Sequence, residues 1–397
     1  MEKVSLRFAV ALLAFGIGVA FAGIFYFDSG KTIAHPLPPV DPVITEPVQP
    51  ADTKGKTLEM VFVLDTTGSM GGLLEGAKQK IWSIVNEVMQ KESRPSVRVG
   101  LVAYRDRGDD YETQVLPITE DLDKVYSKLM EFQAAGGGDH PENVQKALAD
   151  AVKNAGWSKQ RGGLAQILFL VGDAPPQSYQ NEPGVLATTD AAIKQNMIVN
   201  TIQCGGHAET TKVWNQIALR GQGKYFAIAQ DGGVDVINTP YDSEISQLGQ
   251  KIASGYVAYG AAPAREAAAA GVASTETRVA NAATNTAKAD RALNKALNSE
   301  AYAGDLVQEI ENGRVKLESV KDDELPTDLQ KLSPAQRKAE IDKRLAERKQ
   351  VRAQIVELSK KRAEFITAER KKSGKTNGFD AAVGSALTEQ LAKKGIK

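Results

Sequence analysis

The sequence predicts an α/β fold, a doubly wound and mostly parallel sheet, set between an N-terminal transmembrane helix and a C-terminal all-α arm with coiled-coil character. Three observations predict it. An unbroken apolar run extends from Phe8 to Phe27. From Leu58 to Ala229 short apolar runs alternate with longer amphipathic stretches, the pattern of parallel strands covered by helices on both faces. After Asp242 the strand signals stop and helical composition takes over. The expected divisions are residues 1–28, a membrane anchor or signal peptide; 29–56, a proline-rich linker; 57–240, the sheet domain; 241–332, an alanine-rich helical region; 333–375, a basic amphipathic helix; and 376–397, a terminal helix.

The apolar run would be ~30 Å long as a helix, the thickness of a bilayer's hydrocarbon core. Lys3 and Arg7 precede it and no basic residue follows until Lys31, so the N-terminus is expected in the cytoplasm and the bulk of the chain outside it. This fits a bacterial inner-membrane protein facing the periplasm, or a cell-surface protein. Ala20-Phe-Ala22 also satisfies the small-x-small pattern of a cleaved signal, and a buried core helix is the remaining reading. Prolines between His35 and Pro50 hold the next segment in extended geometry, a stalk.

Composition narrows the function. Lys and Arg number 49 against 49 Asp and Glu, a net charge of zero that argues against nucleic-acid binding by bulk charge. The single cysteine, Cys204, excludes a disulfide scaffold, a zinc ribbon and a CxxC redox site, and is expected to be a small core residue. The histidines are His35, His140 and His207, too few for a His-rich metal site.

In the sheet domain, strands are expected at 58–64, 97–104, 165–171, 198–203 and 224–229, with helices at 71–90, 122–132, 142–155, 187–195 and 210–219. Parallel sheets of this kind bind ligands beyond the carboxyl ends of their strands. The first strand ends in Asp65-Thr-Thr-Gly-Ser-Met70, the central one in Gly172-Asp-Ala-Pro-Pro176, and Gly136-Gly-Gly-Asp-His-Pro-Glu142 forms a loop between them. Asp65, Thr67, Ser69, Asp139 and Asp173 could supply oxygens from three loops to one small hard cation.

Asp-x-Thr-Gly-Ser after a strand, a glycine-rich loop entering a helix, and a buried strand ending in Gly-Asp resemble a von Willebrand factor A domain with a metal-ion-dependent adhesion site. Val199-Asn-Thr-Ile-Gln-Cys-Gly205 is similar to the family's fifth strand and Ile217-Ala-Leu-Arg-Gly-Gln-Gly-Lys-Tyr-Phe226 to its last helix–strand turn. The resemblance covers about residues 57–235. It implies that the family's Asp-x-Ser-x-Ser falls on Asp65, Thr67 and Ser69 and its strand-4 Asp on Asp173. Asp139 stands where most members have Thr, and Ala103-Tyr-Arg-Asp106 together with Gly-Gly-Gly-Asp-x-Pro-Glu is similar to the hemicentin-like and alpha-kinase-associated subgroup. The implied cofactor is Mg²⁺, with Mn²⁺ or Ca²⁺ as alternatives, and the implied partner is a protein meeting a rim of Asp106, His140 and Glu142. Three aspartates around one ion would repel a partner carboxylate, so a carbonyl or amide oxygen from the partner is equally compatible.

Other readings of these residues stand beside that one. Asp65 could be a phosphoryl-transfer nucleophile, but Thr67 occupies the place of the general acid such enzymes need. Asp65 or Asp139 could simply cap a helix. Arg107-Gly-Asp109 reads as a charged turn.

In the arm, 262–303 is rich in alanine and is expected to pack weakly. Ser333-Pro-Ala-Gln336 opens a helix running to about Lys372, with Ile341, Leu345, Val351, Ile355, Leu358, Phe365 and Ile366 on an approximate stripe for a coiled coil, a homo-oligomer contact or a hairpin. Its basic excess is a solvated face or a contact for anionic lipid or polymer. Residues 379–392 form an amphipathic helix that could dock elsewhere. The functional expectation is a membrane-anchored, extracytoplasmic, non-enzymatic binding module. The alternative is a scaffold in which the arm makes the contacts and the metal is only structural.

Overall fold

The strand runs at the centre of the sequence can satisfy their backbone only by pairing with one another, and they do so as a sheet of six in the order β3-β2-β1-β4-β5-β6. The computed structural model describes residues 55–93, 95–138, 141–298, 300–302, 304–373 and 378–396. The expected anchor and stalk at 1–54 lie outside the described residues, as do Asp139 and His140. Among the described residues no helix is long and apolar enough to cross a membrane.

The strands are β1 (Thr57–Asp65), β2 (Ser96–Tyr104), β3 (Thr113–Thr119), β4 (Leu164–Gly172), β5 (Ile198–Cys204) and β6 (Gln222–Ile228). All pair in parallel except β3, an antiparallel edge strand beside β2. The sequence reading missed β3 because its side chains are half-exposed and Pro117 interrupts the run. The proline is tolerated because β3 is an edge strand and the β2–β3 register shifts at Gly100, opposite it.

Both faces of the sheet are covered, which is why β1 and β4 are buried along their entire length. On one face lie α3 (Val144–Lys153), α4 (Val185–Lys194) and α5 (Ala208–Arg220), packing Val144, Leu148, Val152, Trp214 and Ile217 on Val61, Val63, Leu168 and Leu170. On the other lie α1 (Gly71–Met89) and α2 (Leu122–Glu131), with Leu73, Ile81, Trp82 and Leu129 against Met60, Phe62 and Phe169. Cys204 is buried in that second cluster, and burial pushes its thiol pKa up, as befits a small core residue.

The remaining helices are α6 (Asp242–Ser254), α7 (Ala262–Ala282), α8 (Asn285–Leu297), α9 (Leu306–Glu311), α10 (Thr327–Gln330), α11 (Pro334–Ser373) and α12 (Phe379–Lys393). Three expectations about them need correction. The alanine-rich region is not uniformly loose: α7 buries only Val279, but α8 buries most of its length against α1 and α6. Alanine is what allows this, because a helix with small side chains can approach another closely; a Cβ on Gly249 of α6 would already crowd the Ala292 methyl.

The basic helix does begin as its cap predicts. Ser333 Oγ accepts from the Gln336 N–H at 3.4 Å, and Gln336 Oε1 accepts from the Ser333 N–H at 3.0 Å. Its arginines, however, point inward. Arg348 pairs with Asp305 at 2.5 Å, Arg352 with Glu311 at 2.5 Å, and Arg362 with Asp242 at 2.6 Å and Asp290 at 2.8 Å. These arginines tie the arm together, while lysines such as Lys338, Lys343, Lys360 and Lys372 stay on the solvent face. Ile341, Leu345, Val351, Ile355 and Leu358 likewise pack on the chain's own α6, α8 and α9 neighbourhood, so the stripe is spent internally rather than on a coiled coil.

The terminal helix is not a free docking peptide. α12 lies on the sheet beside α1, with Phe379, Val383, Leu387 and Leu391 inside the same apolar cluster as Phe62 and Phe169. The Phe62 and Phe379 rings tilt together at 5.8 Å. At its far end Gln390 and the β5 residue Asn200, both buried, exchange reciprocal amide hydrogen bonds of 3.1 and 2.6 Å.

Candidate functional site

The carboxyl ends of β1 and β4 are neighbours in the sheet, with Leu64 opposite Val171, so the residues that follow them, Asp65 and Asp173, emerge side by side. Asp65 is fully buried. Its Oδ1 accepts from the Thr67 N–H at 2.9 Å and from Thr67 Oγ1 at 2.7 Å, which closes the turn. Its Oδ2, also buried, has no hydrogen-bond partner. Burial is the main reason its carboxyl pKa is pushed up to about 7, against the pull of the Thr67 donors, and the Asp173 charge adds to it. The cap reading of Asp65 fails: α1 starts after Met70 with no side-chain cap.

The space around that orphaned oxygen is kept open by glycines. A Cβ on Gly172 would fall well inside contact with the Tyr104 hydroxyl and only 3.0 Å from Asp65 Oδ2. Gly136 and Gly137 both take left-handed backbone, φ 77° and 74°. There the loop donates Gly137 N–H to Asp109 at 3.2 Å and offers the Gly136 carbonyl to Gly68 N–H at 3.3 Å. Gly172→Ala should therefore cost about 1–3 kcal/mol through overpacking against a buried tyrosine. Gly162→Ala, where a Cβ meets nothing within 4 Å, should stay within about 0.5 kcal/mol. Chemical denaturation of the two variants checks the contrast.

Thr67, Ser69, Gly137, Gly138, Glu142 and Asp173 line an open cleft of ≈ 440 Å³ at this edge. Thr67 is buried and Ser69 exposed. Asp173 Oδ2 accepts from Gln230 at 2.6 Å, and its carbonyl accepts from Thr210 Oγ1 at 2.9 Å.

The expected rim is rearranged. His140 lies outside the described residues. Asp106 and Glu142 are almost completely buried, so neither is a solvent-facing rim residue. Asp106 Oδ1 accepts from Tyr179 Oη at 2.7 Å. Glu142 does not enter a helix: its N–H donates to the Pro175 carbonyl at 3.1 Å, and its carbonyl accepts from Gln177 N–H at 2.8 Å. The helix starts two residues later because Asn143 caps it, accepting from Lys146 N–H at 3.0 Å. Glu142 Oε2 is buried without a partner. Burial first, then the charges of Asp65, Asp106, Asp109 and Asp173, push its pKa up to about 9. The chain marked Glu142 as chemically interesting, but only the β4-side loop folding over it shows that it is interior.

The Arg107-Gly-Asp109 turn is committed internally: Arg107 pairs with Glu182 and stacks on Tyr179 at 3.7 Å, and Asp109 holds Gly137. Tyr104 and Arg105 lie in the Ala103-Tyr-Arg-Asp106 motif but were given no role in the site by the sequence reading, and Gln230 carries no motif; their contacts become visible only where strands end together.

Among the described residues no three Asp, Glu, His or Cys side chains converge closely enough to hold an ion by themselves. The donors present are of a different mixture, two carboxylates with the hydroxyls of Thr67 and Ser69, all hard oxygen ligands of the type Mg²⁺ takes. A buried carboxylate oxygen with no hydrogen bond of good geometry among the described residues, the Asp173 N–H being the nearby backbone donor, fits such a group, because leaving it uncompensated is costly.

With that geometry in hand the comparisons are specific. A von Willebrand factor A domain model matches residues 59–240. The von Willebrand factor A domain-containing protein 7 of Rattus norvegicus is 40% identical over 89 residues, 22% of this chain and 9% of that protein. Its Homo sapiens counterpart is 38% identical over 89 residues, again 9% of its length. The chain thus spans only about a tenth of these relatives. Six strands in this order, helices on both faces and an Asp-x-Thr-x-Ser turn at the carboxyl edge agree with the match. Residues 59–240, just under half of the chain, are thus a von Willebrand factor A domain.

Proposed function

We propose that the chain is a non-enzymatic binding module whose A domain holds a divalent cation, Mg²⁺ or a close substitute, and engages a protein partner at the same edge. Asp65, Thr67, Ser69 and Asp173 would hold the ion, with Asp139 contributing from the glycine loop. Bound there, the ion supplies a positive centre for an oxygen of the partner. The observation that carries this reading is Asp65 Oδ2, buried, unpartnered and kept clear by Gly172. Glu142 adds a buried carboxylate beside the aspartates. With Asp139 joining Asp65 and Asp173 around one ion, a neutral carbonyl or amide oxygen is favoured over a partner carboxylate. The apolar run at 8–27 supports attachment to a membrane with the A domain outside the cytoplasm.

At a concentration of Mg²⁺ or Mn²⁺ one hundred times its Kd, binding should stabilise the full chain by about 2.7 kcal/mol. For a domain of this size that raises Tm by roughly 5–10 °C. Asp65→Ala and Asp173→Ala should remove the shift, and cross-linking to a partner should be lost with either variant or with chelator. A melting curve unchanged by Mg²⁺, Mn²⁺ and Ca²⁺ would eliminate the metal reading.

A further inference from the structure

We infer that Arg105 is a positioning residue for this site: its guanidinium fixes the Asp65 turn and the glycine loop relative to each other. The inference rests on the metal-binding reading above. Arg105 follows the last residue of β2 and is 3% exposed. Its Nε donates to the Thr66 carbonyl at 3.2 Å, its Nη2 to the Gln133 carbonyl at 2.8 Å, and its Nη1 pairs with Asp110 at 3.3 Å. Thr66 lies between Asp65 and Thr67, and Gln133 leads into Gly136-Gly137-Gly138. One planar group therefore contacts both loops that line the cleft and also its own loop.

The surroundings hold the guanidinium still. It stacks on the Tyr111 ring at 4.5 Å. The Tyr111 hydroxyl donates in turn to Thr66 Oγ1 at 2.7 Å, which donates to the Tyr104 carbonyl at 2.9 Å. The same Thr66 carbonyl also accepts from Ala135 N–H at 3.1 Å, so the arginine reinforces a loop-to-loop bond. Lysine carries the same charge on a single nitrogen and cannot reach three acceptors that lie in different directions.

The consequence concerns which ion is held. Mg²⁺ and ions of its size require near-ideal octahedral geometry, whereas Ca²⁺ tolerates flexible, larger shells. Loops stapled by Arg105 favour the smaller ion; loops released from it lose that preference. If Arg105 were merely stabilising, replacing it would lower Tm without changing the ratio of the two affinities.

The test is isothermal titration of the detergent-solubilised full chain with Mn²⁺ and with Ca²⁺, for wild type, Arg105→Lys and Tyr111→Leu. Arg105→Lys is expected to weaken Mn²⁺ binding at least tenfold and Ca²⁺ binding by less than threefold. Tyr111→Leu removes the stacking ring and the Thr66 contact from a half-buried position, and should move the same ratio about threefold even if Arg105→Lys does not fold. Wild type that binds neither ion overturns both this inference and the reading beneath it. Wild type that binds, with an Mn²⁺-to-Ca²⁺ ratio unchanged in the variants, overturns the inference alone.

Discussion

Removing residues 378–397 is expected to abolish cooperative unfolding of the A domain, although the deleted helix lies far outside the 59–240 match. The reason is what α12 covers. Phe379, Val383, Leu387, Leu391 and Ile396 are buried in the same cluster as Met60, Phe62 and Phe169. At roughly 1.5–3 kcal/mol per large apolar side chain their burial amounts to about 7–15 kcal/mol, an upper figure that matches the whole stability of a typical domain. Asn200 would in addition lose both reciprocal amide bonds to Gln390. A thermal melt followed by circular dichroism checks this. A truncated chain that melts within a few degrees of the full one would show that the sheet face needs no cover. Phe379→Ala alone should cost about 3–5 kcal/mol.

The second large effect is expected at Asp123 on α2. Arg291 on α8 donates to both its oxygens, at 2.7 and 2.6 Å, and Lys295 pairs with it at 2.8 Å; all three side chains are buried. Burial alone would raise the Asp123 pKa, but Lys295 and Arg291 outweigh it and hold the carboxyl well below the usual range. Asp123→Ala leaves Arg291 with Glu276 but takes the carboxylate partner from the buried Lys295, and should cost about 3–5 kcal/mol, whereas replacing Asp123, Arg291 and Lys295 together by apolar residues of similar size should be close to neutral. The sign of the pH dependence follows from the depressed pKa. Asp123 contributes stability above the unfolded carboxylate value, about 3.9, and loses it as pH falls toward the folded value. The gap between wild type and Asp123→Ala should therefore be widest at neutral pH and shrink below about pH 4. A gap independent of pH would place the effect in packing rather than charge. Either result also bears on the arm, because this cluster joins α2 of the A domain to α8 beyond it.

How far the sequence carried can be judged element by element. β1 and β4 were legible because strands buried on both faces are near-continuous apolar runs, and β5, with Asn200, Thr201 and Gln203 among its seven residues, was legible from its place between two helical stretches. The Asp65 turn and the Gly172-Asp173 strand end were legible because local spacing alone sets where the oxygens fall. β3 was not, since an edge strand with a bulge needs neither alternation nor continuity. The burial of Asp106 and Glu142 was hidden for a different reason: nothing local to either residue specifies that Tyr179 and Pro175, some thirty to seventy positions away, will fold over them.

The same division separates α11 from α12. The cap at Ser333 and the length of α11 follow from its own residues, and so does the amphipathic face of α12. What those faces meet does not, because an apolar stripe or a row of arginines is satisfied equally well by a second chain, a lipid surface or the rest of the same molecule. By itself the sequence determined five of the six strands, the turn chemistry and the resemblance to the family. Only the tertiary structure decided that Arg348, Arg352 and Arg362 and most of the apolar stripe are satisfied within the chain, and that the last helix completes the first domain's core, since burial is a property of which surfaces come together and not of the segments that carry them.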